Sequence, residues 1–271
     1  MSSPATLTSR PPTIGIALSG GGARGIAHIG VLKALLEADI VPTVVAGTSS
    51  GSIVGCLYAA GMPIEKIEAF AQVGRGFSLL RVGNPMRGLI KLTMLREKLD
   101  DVLEADDFSG LKYPLAVVTS DLQRGRLAVH RSGPLIECVQ ASCALPLIFR
   151  PVEIDGVQHI DGGLYMNLPA EPIRDEVDLL ISSNVMPLVN VEVEHLTSLV
   201  SIGARVFDLS INTNHTHSRE ISDVVIEPPE IIGYNVYNFS KTAELIDVGY
   251  AATQLQLPTI RRIIAGYRAF A

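Results

Sequence analysis

The chain has 271 residues, 28 acidic against 22 basic side chains and a formal net charge of -6, a balance that argues against general nucleic-acid binding, whose domains are usually basic. Hydrophobic residues make up 47% and aromatics only 5%, with no tryptophan, so a single α/β domain has to pack its core from Ile, Leu, Val and Ala. Cys56, Cys138 and Cys143 form neither an even framework nor a CxxC pair, which reads as reduced thiols in a cytoplasmic compartment.

Residues 1–12 read as a flexible tail with no apolar signal-peptide core. From residue 13 onward the pattern is one continuous domain. Ile14–Leu18 is a short apolar strand running into the glycine loop Gly20-Gly21-Gly22-Ala23-Arg24-Gly25, and Ile26–Glu37 has helical spacing. Thr43–Ala46 is the next strand; it meets Gly47-Thr48-Ser49-Ser50-Gly51, after which Ser52–Ala60 is helix-compatible. The uncharged stretch from Ile40 to Ile64 is long enough to cross a bilayer, but Pro42 and four glycines make it a strand–turn–helix instead. Pro63–Val73 predicts a further helix.

Gly74–Arg96 is cationic and apolar, with no acidic residue and frequent Gly and Pro; it suits a substrate cap or a lipid-facing patch, or a loop covering a sheet edge. Met94–Ala105 predicts a helix, Leu115–Thr119 and Leu127–His130 strands, and Leu135–Ser142 a short apolar helix. Val152–Ile160 alternates around Asp155-Gly156, a tight hairpin that delivers the chain to Asp161-Gly162-Gly163. Strands at Leu179–Ser183 and Val224–Ile226, a helix from Leu196 to Ile211, and a C-terminal helix from Lys241 to Arg268 interrupted at Pro258 complete the pattern. The alternation predicts a mostly parallel α/β sheet flanked by helices.

Serine flanked by glycine at plus and minus two fits a sharp strand-to-helix corner that pushes the side chain outward, so Ser49 is the candidate nucleophile, with Gly47, Thr48, Ser50 and Gly51 as its elbow. Gly20, Gly22 and Gly25 also satisfy G-x-G-x-x-G, which leaves a nucleotide-binding oxidoreductase as an alternative. The second strand lacks the terminal carboxylate that binds ribose, however, and ends in the serine corner. Backbone amides of such a loop suit an oxyanion beside a serine nucleophile. For the base, His130, His159, His195, His215 and His217 each read as surface histidines, and Asp161 is the better candidate because two glycines let substrate approach it. An Asp-Gly pair is also an ordinary turn.

The glycine loop, the elbow, and the run Ala141-Ser142-Cys143-Ala144-Leu145-Pro146 through Asp161-Gly162-Gly163 to Asn167 and Pro169 resemble, in order and spacing, the patatin-like phospholipase family. The resemblance implies a three-layer α/β/α fold and a lipid acyl-ester hydrolase working without metal or cofactor. It implies Ser49 as nucleophile, Asp161 as proton acceptor, Gly162 and Gly163 beside it, and Gly20, Gly21, Gly22, Ala23, Arg24 and Gly25 as the oxyanion loop. Ser50 stands where alanine is common. Phospholipid, lysophospholipid or a simpler acyl ester, met at a membrane periphery, is the implied substrate. A non-catalytic lipid-binding protein on the same fold is the remaining alternative.

Overall fold

The computed structural model describes residues 10–73, 92–187 and 197–269. Eight strands form one sheet: β1 (Ile14–Leu18), β2 (Val44–Thr48), β3 (Leu115–Asp121), β4 (Arg126–His130), β5 (Val152–Ile154), β6 (Val157–Asp161), β7 (Leu179–Ser183) and β8 (Val224–Ile226). Their order is β5-β6-β3-β2-β1-β7-β8, with β4 pairing β3 beside that path. The strands β3-β2-β1-β7-β8 run parallel, whereas β4 and β6 pair antiparallel with β3, and β5 with β6. β1, β2, β3 and β7 are buried along their whole length, which is why they read as apolar runs rather than as alternating ones.

Helices flank the sheet: α1 (Ala27–Glu37), α2 (Ser50–Ala59), α3 (Ile64–Val73), α4 (Thr93–Asp100), α5 (Leu135–Ser142), α6 (Leu199–Thr213), α7 (His215–Glu220) and α8 (Thr242–Ala269). One face of β1, carrying Ile14, Ile16 and Leu18, joins the main core with Ile29, Leu32 and Leu35 of α1, Leu57 of α2 and Ile260 of α8. The opposite face is built from smaller side chains, Ala17, Ala46 and Ala116, so the 3-10 turn Glu171–Glu176 packs Ile173 against it.

Two elements differ from their predicted extents. α4 ends at Asp100 rather than continuing to Ala105. Asp106 is recruited to cap α5, accepting from the Ile136 N–H at 2.6 Å, and Arg96 pairs with Asp100, Asp106 and Glu137. Tertiary capping therefore takes the chain out of the helix. α8, in contrast, runs through Pro258 without interruption. Pro258 lies on the exposed face, where water can serve the carbonyl that the ring leaves unpaired, while buried Leu257 and Ile260 hold the helix to the core. Of the cationic Gly74–Arg96 stretch, 74–91 lies outside the described residues, as do residues 1–9 of the expected tail; Arg10 ion-pairs with Asp178 at 2.7 Å. Among the described residues no helix is long and apolar enough to cross a membrane.

Register sets what meets at the top of the sheet. Thr48 of β2 lies opposite Val118 of β3, and the next residue of β3, Thr119, lies opposite Asp161 of β6. Ser49, one residue past Thr48, is thereby on the same row as Asp161 although the two are far apart in sequence.

Candidate active site

Ser49 ends β2 and caps α2 with φ 51° and ψ −127°, a left-handed conformation that a non-glycine residue adopts only under constraint. The neighbours supply that constraint. A Cβ on Gly47 would lie 2.6 Å from the Gly51 carbonyl oxygen, and one on Gly51 would lie 2.2 Å from that of Leu18, so both flanking positions require glycine by close backbone approach. The Ser49 N–H donates to Ser142 Oγ at 2.8 Å, and Ser142 Oγ donates to the Val118 carbonyl at 2.7 Å, which ties the corner to β3. Thr48 Oγ1 donates to the Met166 carbonyl at 2.9 Å.

The glycine loop leaves β1 and crosses in front of Ser49. Four of its amides are engaged: Ser19 N–H with Ser183 O, Gly20 N–H with Asn167 O, Ala23 N–H with Val236 O and Arg24 N–H with Gly21 O. Among the described residues, the N–H groups of Gly21 and Gly22 take no partner, and these two glycines line the same cavity as Ser49. Gly22 has φ +55°, and a Cβ there would meet the Val236 carbonyl oxygen at 2.4 Å. The Arg24 side chain turns away from the cavity, donating to the carbonyls of Tyr234 at 2.7 Å and Ile232 at 3.2 Å. It clamps the loop to the segment that covers it.

Asp161 is 3% exposed and ends β6 as the cap of the 3-10 turn Gly162–Leu164. Its Oδ1 accepts from the Gly163 N–H at 2.8 Å, and the nearby Ser49 side chain favours its ionised form. The turn expected of Asp161-Gly162 is present, and the carboxylate that caps it also lines the cavity. Burial pushes the Asp161 carboxyl up to about 7, against the opposing pull of the Gly163 N–H and the Ser49 side chain.

The histidines lie elsewhere, and two expected at the surface are buried. His159 Nδ1 and His130 Nε2 share Thr119 Oγ1 at 2.8 and 2.7 Å, and His215 Nε2 pairs with Asn167 Nδ2 at 3.1 Å. The hairpin strand carries His159 inward, a burial its single-residue pattern did not signal. His217 is exposed, and His195 lies outside the described residues. Among the described residues no histidine is hydrogen-bonded to Ser49.

Ser49 and Asp161 open on a cavity of about 1090 Å³, including its mouth. Its wall is apolar: Leu145, Leu147, Ile148 and Phe149 from the segment after α5, with Phe207 and Ile211 from α6. A buried carboxyl and a half-buried hydroxyl at the end of an apolar trough could accommodate a carbonyl attached to a hydrocarbon chain.

The sequence model for patatin-like phospholipases matches residues 16–174, a span that runs from β1 through Asp161 and Asn167. The chain belongs to the patatin-like phospholipase family. An uncharacterized NTE family protein of Mycobacterium tuberculosis is 32% identical over 229 residues, covering 78% of this chain and 62% of that protein. The chain therefore spans about three fifths of the length of that relative. Patatin-like phospholipase domain-containing protein 6 of Homo sapiens is 34% identical over 170 residues, 60% of this chain and 12% of that protein. Among solved structures, VipD from Legionella pneumophila has a TM-score of 0.53 at 16% identity, covering 92% of this chain and 67% of that one. Human GIVD cytosolic phospholipase A2 has a TM-score of 0.52 at 13% identity, covering 96% and 60%. Both likenesses concern the fold.

Three polar residues that support this patatin-like site were not singled out by sequence. Ser142 fixes the Ser49 amide, as described above. Asn167 holds Gly20 from both sides, its carbonyl accepting from the Gly20 N–H and its Nδ2 donating to the Gly20 carbonyl at 3.4 Å. His28, fully buried in α1, has Nε2 2.8 Å from the Ser19 carbonyl and Nδ1 2.8 Å from Ser183 Oγ. The carbonyl can only accept, so Nε2 carries the proton and Nδ1 accepts from Ser183. Burial pushes His28 down to about 4, so it stays neutral. Ser142 and Asn167 sit within the motif runs, where their spacing was the available signal; nothing local marks His28.

The raised Asp161 carboxyl has a consequence for stability. An aspartate in the unfolded chain titrates near 3.9, well below the folded value of about 7, so the native state holds the extra proton between those limits. The Asp161 contribution to stability is therefore present below about pH 4, declines as pH rises, and is lost above about pH 7. Asp161→Asn removes that dependence: its melting temperature relative to wild type should be higher at pH 8 than at pH 5 by several degrees. An identical difference at both pH values would show that Asp161 titrates normally.

Proposed function

We propose that this protein is a serine acyl-ester hydrolase acting on lipid esters through a Ser49–Asp161 dyad. The observation that carries the reading is the Ser49 side chain, held at a strained corner, on the same row as a buried carboxylate and lining the same apolar cavity. Ser49 Oγ attacks the ester carbonyl carbon while Asp161 takes the hydroxyl proton. The developing oxyanion meets the unengaged N–H groups of Gly21 and Gly22, each such donor being worth on the order of 10²–10³ in rate. Asp161 then passes the proton to the leaving alkoxide, which departs and leaves the acyl group on Ser49. Water attacks the acyl-enzyme, its proton going to Asp161 and on to Ser49 Oγ, and the carboxylic acid is released. Every proton in this scheme is carried by this chain's own groups or by water.

The reading extends to a membrane surface as the place where substrate is met. On α6, Leu199, Ile202, Val206 and Leu209 recur at helical spacing and are exposed, Leu199 to 86%. The opposite face of the same helix presents Phe207 and Ile211 to the cavity. Leu147 and Tyr237 line the cavity and are exposed as well, so apolar surface runs from the helix to the cavity mouth. A bilayer against this rim would let an acyl chain pass into the cavity without crossing water. The three cysteines are free, which suits the cytoplasmic side.

Ser49→Ala and Asp161→Asn should each lower p-nitrophenyl ester turnover by about 10⁴-fold or more with the fold retained, as judged by circular dichroism. The wild-type kcat/KM should rise with pH through an apparent pKa near 7, because the free enzyme must present Asp161 as carboxylate. Full activity in Asp161→Asn would remove the dyad. For the membrane contact, Leu199→Glu with Val206→Glu should lower co-sedimentation with phospholipid vesicles at least tenfold, since each apolar side chain buried is worth about 1.5–3 kcal/mol. Turnover of a short soluble ester should persist. Unchanged vesicle binding would show that this face does not meet the bilayer.

A further inference from the structure

A backbone amide is aimed by the peptide plane that carries it. The Gly20 carbonyl and the Gly21 N–H belong to one trans plane and point opposite ways, so whatever holds that oxygen also directs that hydrogen. With glycine on both sides, no side chain restricts rotation of this plane, and hydrogen bonds have to fix it. Two donors meet the Gly20 oxygen: Ser19 Oγ at 3.0 Å and Asn167 Nδ2 at 3.4 Å.

Asn167 is buried, and its carboxamide is wedged between two arms of the site. A Cβ on Gly20 would lie 2.4 Å from Asn167 Oδ1, and one on Gly163, whose N–H donates to Asp161, would lie 3.0 Å from it. Turned over, the same carboxamide would set its oxygen against the Gly20 oxygen. A buried neighbour decides between the two orientations. His215 opens α7 and has Nε2 3.1 Å from Asn167 Nδ2. The Gly20 oxygen only accepts, so Nδ2 is the amide end beside it; Nδ2 then donates to His215 as well, and Nε2 accepts. That role requires a neutral ring, and burial pushes His215 down to about 4, with Glu227 opposing the shift and Arg219 adding to it. The preceding residue, Asn214, accepts from the Asn167 N–H at 3.1 Å and donates to the Gly163 carbonyl at 2.9 Å. The α6–α7 junction thus grips the backbone of Asn167 with one residue and its side chain with the next.

We infer that His215 is a positioning residue for the hydrolysis: by accepting from Asn167 it orients the carboxamide that fixes the Gly20–Gly21 peptide, and so keeps the Gly21 N–H directed at the oxyanion. The inference deepens the hydrolase reading and rests on it. His215 does not line the cavity, whereas Asn167 does, so its effect passes through that one side chain. Because the Gly21 N–H meets full negative charge only when the carbonyl has been attacked, the effect falls on the transition state and not on substrate binding.

The test compares wild type with His215→Phe, which keeps a ring but no acceptor, and His215→Gln, which keeps an acceptor oxygen. Turnover of p-nitrophenyl butyrate gives kcat and KM. A hexyl trifluoromethyl ketone reports the oxyanion directly: Ser49 Oγ adds to its carbonyl carbon, the π pair becomes an alkoxide, and Asp161 takes the serine proton. The corresponding secondary alcohol forms no adduct and reports occupation of the cavity alone. His215→Phe should lower kcat and ketone affinity at least tenfold each, part of the roughly 10²–10³ that a whole donor is worth, with KM and alcohol affinity within about twofold. His215→Gln should return kcat and ketone affinity to within about threefold of wild type. If the phenylalanine variant does not melt cooperatively, His215→Met, unbranched and without a strong acceptor, takes its place. A folded acceptor-free variant with wild-type kcat, a loss shared equally by the alcohol, or a glutamine variant as impaired as the phenylalanine one would overturn the positioning role while leaving the hydrolase reading intact. Wild type binding the ketone no more tightly than Ser49→Ala would overturn that reading and the inference with it.

Discussion

Burying a carboxylate is expensive, and the arrangement around Ser49 depends on that expense being met. Asp161 sits at the inner end of β6, where its carboxylate accepts from one backbone donor, the Gly163 N–H, with the Ser49 side chain nearby. These polar groups are too few to offset desolvation, so the carboxyl is lifted toward neutrality. An aspartate with an ordinary pKa would be a weak base for a serine hydroxyl at neutral pH. In the proposed dyad, the same burial that destabilises the ionised form brings its proton affinity closer to what Ser49 requires. That proposal needs no histidine to bridge the gap.

The rest of the upper sheet edge is organised to keep this pair in place. Ser142 holds the Ser49 amide, Asn167 and His28 hold the two residues that enter the glycine loop, and Arg24 and the Ala23 amide pin the loop to the 232–236 segment. The outcome is selective. Four loop and adjacent amides are consumed by structure, and among the described residues those of Gly21 and Gly22, which line the cavity with Ser49, are left over. In the proposed reaction such preorganised donors need no reorientation when charge develops.

Much of the site was legible because its chemistry is local. Gly47 is demanded by backbone contacts with the start of the helix that follows, a local requirement, whereas Gly51 is kept bare by the Leu18 carbonyl at the end of β1. The Asp155-Gly156 hairpin has positive φ at both residues, 50° and 75°, as its dipeptide implied. Other expectations failed where distant groups intervene. α4 ends early because Asp106 caps a helix thirty residues further on, and α8 survives Pro258 because its other face is held by the core. His159 and His215 are buried by neighbours that one residue's context cannot announce.

By itself the sequence determined the strand-to-helix corner at Gly47, the hairpin and most strands, since each follows from backbone sterics and apolar patterning over a dozen residues or fewer. Only the tertiary structure decided that Ser49 and Asp161 meet, because their pairing depends on the register of β2, β3 and β6 across the sheet. It also decided which loop amides remain unengaged, and how far the Asp161 carboxyl is raised. Those are properties of desolvation and of hydrogen-bond partners drawn from remote segments, and a linear pattern carries neither.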